Sequence, residues 1–190
     1  TTTQQVSIAN ETAVSTTSSG TSVSQATAAA SSSQNQSKYE ANVASVAGKM
    51  DNRVIAAYQQ LGFKLVVDPS VNYSGYFDAR SRSITMKQID DSVYHELGHF
   101  LAFIAGNVDK TASFQSIFVA EKANVTAFNK AYVTQNASEY FAESVKDYIL
   151  NNASLKNTRP QTYAAVQNAL NQITDAQIAK IQKIYGAFWN

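Results

Sequence analysis

The composition of the chain changes at residue 38, and that change limits which part of it can fold around a core. Residues 1–37 are almost entirely Thr, Ser, Ala, Gln and Asn, with Glu11 as their sole charge. Such a segment buries too little apolar surface to offset the entropy of ordering it, so 1–37 reads as a low-complexity, flexible leader or stalk. Residues 38–190 hold the remaining charges, the single Trp and nearly all the large apolar side chains. That length suits one domain with one core.

Charge and hydropathy remove several classes of function. The net charge is +1 and the Lys and Arg residues are scattered, which speaks against a nucleic-acid surface or a polybasic membrane patch. The longest apolar run, Phe100 to Ala105, is too short to span a bilayer. No cysteine is present, so disulfides and thiolate metal sites are excluded. The chain starts at Thr1, and any signal peptide is expected to have been removed already. With the polar leader, this points to an exported bacterial protein, secreted or attached at the cell surface.

Periodicity along 38–190 predicts an α+β order of elements. Apolar residues Val43, Val46, Met50, Val54 and Tyr58 predict one helix from Tyr39 to about Leu61, ended by Gly62. Phe63 to Val67 reads as a buried strand, and Tyr73 to Phe77 with Ser83 to Lys87 as a hairpin. Asp90 or Asp91 can cap a helix with Val93, Leu97, Leu101 and Ile104 on one face and Gly106 at its end. Further helices are predicted near 111–122, 137–151, 160–172 and 175–187, the last with a Thr174-Asp175-Ala176-Gln177 capping box. The expected architecture is a small sheet, a central helix and a mostly helical C-terminal half.

That central helix contains His95-Glu96-Leu97-Gly98-His99. Histidines four residues apart stand one above the other on a helix, so both imidazoles can reach one cation. Glu96 is turned about 100° away round the helix, where its carboxylate can meet a water on the cation rather than the cation itself. Zinc acidifies such a water, and the carboxylate can accept its proton as it attacks a peptide carbonyl. These are the only two histidines in the chain, and a chance match at such low His content has a probability on the order of 1%. The bland alternative is a surface histidine pair beside a solvated glutamate.

A third histidine does not exist, so a third ligand must be a carboxylate. Glu121 lies 22 residues after His99 and Glu139 lies 40 residues after it. Either is a helical acid with plausible reach. Glu139 and Glu143 share a helix face, so one could bind metal while the other orients a ligand histidine. Without a metal, Glu139 would be half of a capping box with Asn136, and Glu143 a solvated charge or a partner of Lys146.

His95-Glu96-Leu97-Gly98-His99, then Tyr132 and, seven residues on, Glu139-Tyr140-Phe141-Ala142-Glu143-Ser144, resembles the catalytic domain of anthrax lethal factor and the clostridial Pro-Pro endopeptidases. The likeness continues through Tyr148-Ile149-Leu150-Asn151 and Pro160-Gln161-Thr162-Tyr163. The resemblance implies a zincin-like fold, one Zn²⁺ per chain on His95, His99 and Glu139, Glu96 as general base, and Tyr132 as the hydroxyl that steadies the oxyanion. Glu143 would then hold a ligand histidine in place. On its own, Tyr132 would pass for a half-buried aromatic. The chain departs from the Pro-Pro enzymes in lacking their Trp-bearing segment before the central helix, and Ser138 replaces an acid before Glu139. The expectation is therefore zinc chemistry rather than Pro-Pro cleavage.

Taken together, these readings predict a secreted, monomeric zinc endopeptidase acting on an extended protein or peptide, with strand 83–87 offering an edge to the substrate backbone. The alternative is a non-catalytic docking module on the same fold.

Overall fold

The computed structural model describes residues 37–189, so the predicted leader falls almost wholly outside the described residues. The α+β expectation holds. A four-stranded sheet is built from β1 (Tyr39–Ala41), β2 (Lys64–Val67), β3 (Gly75–Asp78) and β4 (Ser83–Met86), in the order β1-β2-β4-β3. β2 and β4 run parallel, whereas β1 and β3 pair antiparallel with them on the outside. The helices are α1 (Val43–Val46), α2 (Asn52–Gln60), α3 (Ser92–Ile104), α4 (Ala112–Glu121), α5 (Lys130–Val133), α6 (Ala137–Leu150), α7 (Asn152–Thr158), α8 (Pro160–Asn171) and α9 (Asp175–Trp189).

The predicted first helix is in fact three elements. Tyr39–Ala41 extends along β2, with Lys64 and Glu40 paired across the strands at 2.8 Å. Asn42 then caps α1 through the Ser45 amide, and Asp51 caps α2 through the Arg53 amide. The apolar spacing was real, since Val43, Met50, Val54 and Tyr58 are buried. Periodicity alone cannot report a break between two caps that leaves the same face inward. The short helices α5 and α7 were likewise not foreseen.

The strand at 83–87 does not offer an edge. β4 lies between β2 and β3, and the open edge on that side belongs to β3. Lys87 donates its amide to the Ser74 carbonyl, which makes Ser74 and Tyr76 the hydrogen-bonded positions of this ladder. Gly75 and Phe77 therefore turn their backbone N–H and C=O groups outward. The hairpin is held by Phe77, stacked on Phe63 at 6.0 Å, and by the Trp189 indole, which donates to the Ala79 carbonyl.

α3 runs through the middle of the domain, against the sheet on one side and α6 on the other. Asp91 holds its N-cap position without a side-chain bond, and the Asp90 carboxylate accepts from the Ser92 amide. Gly106 ends it at φ 88°, a left-handed conformation that suits glycine. The helix is buried nearly all round, with Val93, Leu97, Leu101 and Ile104 in the core and His95 and Glu96 almost as covered.

Candidate metal centre

The site is assembled by the crossing of α3 and α6. A Cβ built on Gly98 would lie 2.7 Å from both the Cα and the carbonyl oxygen of Ala142, so the two backbones meet where neither has a large side chain. Gly98 sits between His95 and His99, and Ala142 between Glu139 and Glu143. One close contact thus brings two histidines and two glutamates together. Gly98→Ala is expected to push α6 away, costing about 1–3 kcal/mol of stability from overpacking. Calorimetry should show the lower melting temperature together with weaker metal binding.

The Glu139 Oε2 atom lies 3.1 Å from His95 Nε2 and 3.6 Å from His99 Nε2. One donor atom from each of the three residues falls within 4.8 Å of the others, and the group could hold a metal ion. Asn136 does cap α6, accepting from the Glu139 amide at 2.9 Å. The Glu139 carboxylate, however, turns to the imidazoles instead of completing a capping box. Glu143, one turn later, accepts from His95 Nδ1 at 2.9 Å, and Lys146 lies 3.4 Å from its other oxygen. A proton on Nδ1 leaves Nε2 as the free ligand nitrogen, which is how an outer carboxylate orients a metal-binding histidine.

Glu121 stands apart from this group. Its buried carboxylate accepts from the Gln161 and Thr162 amides and from the Thr162 hydroxyl at 3.0, 2.9 and 2.7 Å. It caps the N-terminus of α8, where Pro160 occupies the first turn and open amides attract an anion. Spacing in the sequence could not separate this role from ligation.

Electrostatics favour a positive charge within this group. Burial works against an imidazolium at His95, but Glu139 and Glu143 outweigh it and push its pKa up to about 9. Burial opposes ionisation of Glu139 as well, yet the two imidazoles hold its carboxyl well below the usual carboxylate range. An arrangement that retains a proton so firmly also suits a metal ion, which would displace that proton.

Glu96, beside His95, packs against the edge strand. A Cβ on Gly75 would be 2.6 Å from Glu96 Oε1, so only glycine there leaves room for the carboxylate. Burial raises its pKa, against the pull of His95 and His99, which makes it a stronger base than a solvated glutamate. Tyr132, on α5, is half exposed, with its ring centred 6.5 Å from that of His95. Burial and the Glu139 carboxylate push its phenol up to about 12, so it stays protonated at neutral pH. A cleft of about 390 Å³ opens over these groups, lined among others by Tyr73, Gly75, His95, Glu96, Asn129 and Tyr132. Sequence reasoning passes over Gly75 and Asn129; a glycine in the middle of the predicted strand 73–77 is the available signal.

The fold and the site thus define an α+β domain with a His₂Glu group on two crossing helices. Residues 79–169 match the family model described as anthrax toxin lethal factor, N- and C-terminal domain. That segment is similar to the lethal factor family, and it contains His95, Glu96, His99, Tyr132, Glu139 and Glu143. No curated protein matches the chain. Among the described residues, no helix is long and apolar enough to cross a membrane.

Proposed function

We propose that this domain is a secreted, monomeric zinc endopeptidase acting on extended peptide segments. The observation that carries the reading is the convergence of His95, His99 and Glu139 beside a buried Glu96, with His95 and Glu96 lining an open cleft. Two imidazoles and one carboxylate are a donor set that zinc takes in catalytic sites, where a position stays open. Zinc there would polarise the substrate carbonyl and acidify water. Glu96 would accept a proton from that water and pass it to the leaving amine. Tyr132, as a neutral phenol, would donate a hydrogen bond to the oxyanion. Glu143 would keep the His95 Nδ1 proton in place and so fix which nitrogen faces the metal.

The outward N–H and C=O groups of Gly75 and the C=O of Phe77 give an extended peptide a strand to pair with beside Glu96, whose carboxylate takes up the Phe77 N–H. The reading predicts cleavage of a random peptide library by zinc-loaded protein. A chelator should stop it and added zinc restore it, with products followed by mass spectrometry. Zinc-loaded, folded protein that cuts nothing in the library would favour the docking module instead.

A further inference from the structure

A second, smaller hollow lies on the His99 side of the ligand group. Its volume is about 160 Å³, enough for about five waters at roughly 30 Å³ each, or for one unbranched side chain. Phe77, Ala79, Ala102 and Phe103 form apolar walls, and His99 and Asp109 also line it. Tyr73, Ser74 and Gly75 border the larger cleft, whereas Phe77 and Ala79 border this one. A peptide laid along β3 would therefore pass from one hollow to the other across the ligand group.

Asp109 sits on the single 3-10 turn Val108–Lys110 that follows α3, and it is only 5% exposed. Among the described residues, no hydrogen bond or ion pair engages its carboxylate. Its oxygens are not sealed off either, since the fully enclosed polar atoms without partners are Tyr58 Oη and Arg159 Nε. Asp109 borders the hollow. Lys110 also borders the hollow, but it is exposed to solvent and makes no ion pair with Asp109. A buried, unpartnered carboxylate is costly unless something supplies a donor or a positive charge.

We propose that this hollow is a subsite for a basic substrate side chain, with Asp109 as the residue that selects it. The proposal rests on the peptidase reading of the neighbouring cleft. The methylenes of a lysine would lie against Phe77, Phe103 and the two alanines, and its ammonium would reach Asp109. The carboxylate that no protein group engages then becomes the source of specificity.

The test uses zinc-loaded Glu96→Gln protein, so that binding is measured without turnover. Its probe is a positional peptide set in which each site in turn carries lysine or norleucine. Fluorescence anisotropy should find one position where lysine binds about tenfold or more tighter than norleucine, the scale of one charge-assisted hydrogen bond. Asp109→Asn should erase that preference by weakening the lysine peptide, and zinc content should stay at the parental level. Ala79→Leu, which fills the hollow without altering the carboxylate, should erase it too. The proposal is overturned if no position prefers lysine or if the preference survives both variants. It is equally overturned if Asp109→Asn loses zinc, which would make Asp109 a support for His99. Cleavage by the parent protein is scored separately. A lysine preference without cleavage would retire the peptidase and keep the subsite, and cleavage without the preference would do the reverse.

Discussion

Glu96→Gln is expected to retain zinc, fold and peptide binding while kcat falls by about 10²–10⁴, the usual size of a general-base contribution. The substitution preserves shape. Gly75 leaves a tight space for this side chain, and an amide of nearly equal volume fits it. The proposed ligands His95, His99 and Glu139 are untouched, and Glu96 itself is not in the metal-capable group. What disappears is an acceptor whose basicity burial has raised. Loss of hydrolysis with zinc retained would assign Glu96 to the chemistry. Unchanged turnover would mean that the hydrolysis comes from another group or a contaminant.

Tyr132→Phe is expected to lower kcat by about 10²–10³, with little change in zinc content or melting temperature, because it removes one hydrogen-bond donor and keeps the ring. Tyr132 is half exposed on a four-residue helix, so its ring contributes little to the core. Burial and the nearby Glu139 carboxylate hold its phenol neutral, which keeps it a donor across the physiological range. The ring stands beside His95, and donors of this kind align only when substrate binds. Steady-state kinetics with a peptide that the Glu96→Gln protein does not cut is the deciding measurement. A kcat within a few-fold of the parent would leave Tyr132 as a rim residue.

The parts of this account that were legible in the sequence are those fixed by covalent spacing along one element. His95 and His99 share a face because they are four residues apart, and so do Glu139 and Glu143. Gly62, Gly106 and Asn136 announced helix ends, and the structure uses each of them. The choice between Glu139 and Glu121 was different in kind. Both are helical acids, and only the crossing at Gly98 and Ala142, set against the capping of α8, separates them. That information is tertiary.

The edge of the sheet was illegible for a related reason. β3 and β4 are both short, and no local pattern says which becomes interior once β2 joins in parallel. Tyr39–Ala41 obeyed a helical period until β2 offered it a partner. Asp109 gave no signal at all, since an aspartate after a helix end reads as a solvated turn residue. Its burial follows from the packing of the 3-10 turn Val108–Lys110 against α3, α4 and α6, which no motif encodes.

The central claim is that His95, His99 and Glu139 hold one zinc ion, and elemental analysis of the purified chain tests it most directly. About one zinc per chain is expected, with most of it lost in Glu139→Ala and in the His95→Ala, His99→Ala double variant, but retained in a folded Glu121→Gln protein. Full zinc occupancy in the double-histidine variant would contradict the account.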